Sequence, residues 1–132
     1  MSTKNDYLKV FNTILDYCRS SKEVSEMCEH FLSNSFAIQS GNTHSEGGLI
    51  NDVGFFHIGK ENGIFYISHY HYNGGNKETS LDQLVDLASK YKIAPKDFIS
   101  GFAFKVSEHL LKESRLEVKN KLEDKLLKEA NL

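Results

Sequence analysis

Apolar residues recur near the start of this chain at spacings of three and one: Tyr7, Val10, Phe11, Ile14, Leu15 and Cys18. That period puts them on one stripe of a helix over residues 5–19. Ser20 and Ser21 interrupt it, and Ser20 with Glu23 has the spacing of a capping box, in which each side chain satisfies the other's backbone amide. Val24, Met27, Cys28, Phe31 and Leu32 continue as a second amphipathic helix. So short a break predicts two helices packed side by side or at a steep angle.

The period then shortens. Residues 36–39 read as a short strand, and residues 40–48, with three glycines among small polar residues, as a loop. Leu49 and Ile50 open a second strand that runs into residues 53–58. From Gly54 onward the chain reads as one β-hairpin, closed by the flexible turn Asn73-Gly74-Gly75-Asn76. Ser80 with Gln83 is another capping-box pattern, opening a helix that carries Leu81, Leu84, Val85, Leu87, Ala88 and Tyr91. Ala94-Pro95 ends that helix, and Pro95 suits the first turn of the next. From there to Ala130 the pattern stays helical, with Gly101 its only weak point.

The last segment is long for its globule. About 35 residues at ~1.5 Å rise span on the order of 50 Å, whereas a domain of this size has a radius of gyration of about 14 Å. Its first half is apolar: Phe98, Ile99, Phe102, Phe104, Val106, Leu110 and Leu111. Its second half is charged, with Glu108/Lys112, Glu117/Lys121 and Asp124/Lys128 four apart in the stabilising order. Leu111, Val118, Leu122 and Leu126 remain there as a narrow stripe. Residues 112–130 therefore either bend back over the globule or project and pair with another chain as a homodimer. The expected architecture is a single α+β domain over residues 1–132: an N-terminal helical pair, a small antiparallel sheet with a central hairpin, and two C-terminal helices, the last long.

Composition narrows the class. The chain has 132 residues, 39% hydrophobic and 26% charged, with one proline, which suits a folded single domain. A net charge of −2 does not point to a general nucleic-acid or membrane binder. No stretch approaches the roughly 18 consecutive apolar residues of a membrane span. Cys18 and Cys28 make no disulfide framework and fall at apolar helical positions, so both read as free buried thiols. The N-terminal residues show no signal-peptide pattern, and the expected location is the cytoplasm.

The hairpin carries three of the six histidines and three of the six tyrosines. A three-residue loop, Glu61-Asn62-Gly63, with Gly63 in the left-handed conformation, pairs Lys60 with Ile64, His57 with Ile67 and Phe55 with His69. On that register Phe55, His57, Phe65, Ile67, His69 and His71 share one face. Phe56, Ile58, Tyr66, Ser68, Tyr70 and Tyr72 share the other. His57, His69 and His71 then form a candidate three-nitrogen zinc site, if their imidazoles converge within about 2 Å of one point. Asn62-Gly63 also suits a two-residue loop, which moves His57 to the face opposite the other two. His44, in the preceding loop, is a further candidate ligand. The tyrosine face, with Tyr66, Tyr70 and Tyr72, is the kind of amphipathic aromatic surface favoured at protein interfaces.

Other motifs are excluded. Residues 63–67 lack the second Tyr-Ile-Gly element and partner arginine of a GIY-YIG nuclease core. Residues 87–98 have helix-turn-helix spacing, but the second helix is too apolar to read base edges. Gly47-Gly48 and Gly74-Gly75 are followed by no Lys-Ser/Thr pair and are not phosphate loops. The first expectation is thus a small non-catalytic protein, without cofactor, that sequesters or inhibits another protein, as an immunity protein, antitoxin, phage inhibitor or chaperone does. Tyr66, Tyr70 and Tyr72, or the helix face with Val118, Leu122 and Leu126, would make the contact. The alternative is a metal-dependent hydrolase or metal sensor holding zinc at His57, His69 and His71.

Overall fold

A computed structural model describes residues 4–30, 37–40, 54–71, 75–77, 80–90, 92–109 and 115–132 of the chain. The described elements run α1 (Lys4–Ser20), α2 (Lys22–His30), β1 (Ala37–Ser40), β2 (Gly54–Glu61), β3 (Ile64–His71), β4 (Gly75–Lys77), α3 (Leu81–Lys90), α4 (Pro95–His109) and α5 (Arg115–Glu129). The fold is α+β, as the sequence pattern predicts. The strands form one antiparallel sheet in the order β1-β2-β3-β4.

Every apolar position of the α1 stripe, from Tyr7 to Cys18, is buried. Phe98 of α4 is where the layers meet. Its ring packs edge-on against Phe11 at 4.9 Å and against Phe56 of β2 at 5.0 Å, so α1, α4 and the sheet close on one another. Such T-shaped contacts add to the area buried, because the positive ring edge meets a negative face. The Tyr7 hydroxyl donates to the Ile93 carbonyl at 2.6 Å, fixing α1 to the α3–α4 turn and satisfying a buried polar tip.

The helix ends follow capping chemistry. The Ser80 hydroxyl accepts from the Gln83 amide at 3.2 Å, while Gln83 Oε1 accepts from the Ser80 amide at 3.0 Å. That is the reciprocal box the spacing predicts. At the α1–α2 break the cap is Ser21, whose hydroxyl accepts from the Val24 amide at 3.3 Å. Ser20, the expected cap, still belongs to α1 and donates back to the Tyr17 carbonyl instead.

Two expectations give way. Gly75 and Asn76, expected in a flexible turn, instead form β4 together with Lys77 and pair with residues 69–71 of β3. The segment expected as one helix holds two, α4 ending at His109 and α5 starting at Arg115. The two helices pack together, and α5 also touches α1. Leu122 and Leu126 of α5, and Ala130 just after it, belong to the common core. Leu122 and Leu126 of that stripe are thus buried within the chain.

Candidate functional site

The hairpin is the part of the fold that carries the candidate residues, and its turn decides their arrangement. Asn62 and Gly63 have φ of 52° and 81°, both in the left-handed region. They are the only residues between Glu61 and Ile64, which pair directly. A two-residue turn with both φ positive has the twist that matches right-handed strands, which is why Asn-Gly favours it. The three-residue loop is thereby replaced, and the pairing shifts by one residue. His57 stands opposite Ser68, Phe56 opposite His69, and Gly54 opposite His71.

A one-residue shift exchanges faces along a whole strand. Residues paired directly lie on the same side of the sheet, so Phe56, Ile58, Lys60, Phe65 and Ile67 share the inner face. Four of these, Phe56, Ile58, Phe65 and Ile67, are buried in the core with the helices. Lys60 closes this face near the turn. Its Nζ donates to Ser25 Oγ of α2 at 3.0 Å and lies 5.3 Å from the centre of the Phe65 ring. The positions of His69 and His71 also fall on this inner side, and that of His57 on the outer side. One sheet face therefore does not hold all three histidine positions. The side chains of His57, His69 and His71, and all of His44, lie outside the described residues.

The outer face holds the positions of Phe55, His57, Gly59, Ile64, Tyr66, Ser68 and Tyr70. Tyr66 stands directly across from Gly59, and a Cβ placed on Gly59 would run into the Tyr66 ring. The missing side chain lets the ring lie flat over the neighbouring strand, covering a glycine that otherwise packs poorly. Ser68 is buried, at 2% exposure, so the face is not open along its whole length. The open part is the end beside the turn. Asn62 and Gly63 are exposed, Ile64 is 69% exposed, and Tyr66 is half-buried. The side chain of Tyr70, and all of Tyr72, lie outside the described residues.

The second expected contact face is used up by the fold. Leu126 is fully buried and Leu122 is 8% exposed, leaving only Val118 of that trio half-exposed. A side chain inside the chain's own core offers no surface to a partner.

The titratable groups with shifted pKa values lie away from the hairpin. The Lys119 ammonium bonded to Glu123 at 2.8 Å, together with a bond from Ser100 of α4, holds the Glu123 carboxyl below its ordinary range, against the opposing effect of partial burial. Burial pushes the Tyr17 phenol up, and its bond with Asp82 raises Lys4 at the surface. Each is accounted for by its local ion pair or by packing. Cys18 is fully buried in the core. Among the described residues no three His, Cys, Asp or Glu side chains gather as metal ligands, and no helix is long and apolar enough to cross a membrane. No family model, curated protein or solved structure matches this chain.

Proposed function

We propose that this protein is a small non-catalytic binding module that sequesters or inhibits a partner protein, in the manner of an immunity protein, antitoxin, phage inhibitor or chaperone. The observation that supports this reading is Ile64. It is a strand residue, 69% exposed, beside the half-buried Tyr66 at the turn end of the outer face. A large, exposed aliphatic side chain next to an aromatic one suits the apolar centre of a protein contact. The reading takes the protein as cytoplasmic.

The test is affinity capture from the source cell with the wild-type chain and an Ile64→Asp/Tyr66→Ala double variant. Far-ultraviolet circular dichroism of both chains checks that the fold is kept. The expected result is one stoichiometric partner on the wild-type chain and at least tenfold less on the variant. Equal recovery of the partner would move the contact elsewhere. Failure of any protein to co-purify in stoichiometric amount would overturn the reading.

A further inference from the structure

We draw no further inference here: the strongest candidate, the exposed apolar side chains Phe104 and Leu116 on the paired helices α4 and α5, is a surface patch with nothing in the structure to show what covers it.

Discussion

Lys92 has φ of 58°, in the left-handed region, at the end of α3. The Ile93 amide donates to the Ala88 carbonyl at 2.9 Å and the Lys92 amide to the Ser89 carbonyl at 3.2 Å, the two bonds that close a helix when its following residue turns left-handed. A residue with a Cβ pays about 1–2 kcal/mol there, and glycine avoids that cost at the expense of roughly 0.5–1 kcal/mol of extra backbone entropy. Lys92→Gly should therefore raise stability by about 0.5–1 kcal/mol, read as a higher urea midpoint with an unchanged slope. Nothing in a lysine announces such a position, whereas Ser80 and Gln83, a capping pair within one turn, were legible from spacing alone. Glu123 gives a pH test. Its carboxyl sits below the ordinary value of 4.5 in the folded chain, so the unfolded chain binds more protons between the two values. The stabilisation is complete above pH 4.5 and is lost as pH falls through the folded value. Glu123→Gln should cost about 1 kcal/mol at neutral pH, given a partly exposed pair. It should also flatten the fall in stability below pH 4.5, measured as urea midpoints across a pH series. An equally steep fall in the variant would assign that loss to other carboxylates.

Helix α5 shows what periodicity can and cannot tell. Its stripe of Val118, Leu122 and Leu126 correctly marks a face that is covered, because apolar residues four apart on a charged helix need a partner. Periodicity cannot say whether that partner is the same chain. The apolar pattern runs on past α4 through Leu110 and Leu111, which lie outside the described residues. The sequence also holds Ser114 and Glu117 at capping-box spacing, with Ser114 itself outside the described residues. The hairpin register was likewise present in the turn chemistry, Asn62-Gly63 being the strongest short hairpin signal, but one residue of loop length reverses a face. Burial makes the α5 account testable. Leu126→Ala should lose about 2–5 kcal/mol, as a fully buried leucine does when it leaves a cavity. Leu116→Ala, one helical face away and exposed, should stay within about 0.5 kcal/mol. If α5 instead held a second chain, the Leu126 variant would lower the mass seen by light scattering. Here it should lower the unfolding midpoint and leave the mass unchanged.

At the scale of the molecule the sheet divides its labour between its faces. The inner face, with Phe56, Ile58, Phe65 and Ile67, supplies the core against which the helices pack. The outer face, at its turn end, presents Ile64 and Tyr66 without adding to that core. Substitutions on the two faces should therefore separate folding from binding. Phe56→Ala empties a site in contact with Phe98 and should cost about 3–5 kcal/mol. Ile64→Asp removes an aliphatic side chain already in water and should cost less than about 1 kcal/mol, mostly through strand preference. Chemical denaturation of the two variants beside the wild-type chain checks the stability half of this argument. Capture of the proposed partner checks the other half: Ile64→Asp should abolish it in a protein that remains folded. If Ile64→Asp destabilised the chain as much as Phe56→Ala, the isoleucine would be part of the packing that holds the hairpin. The outer face would then be a second core surface, and the contact would have to be sought on the helices.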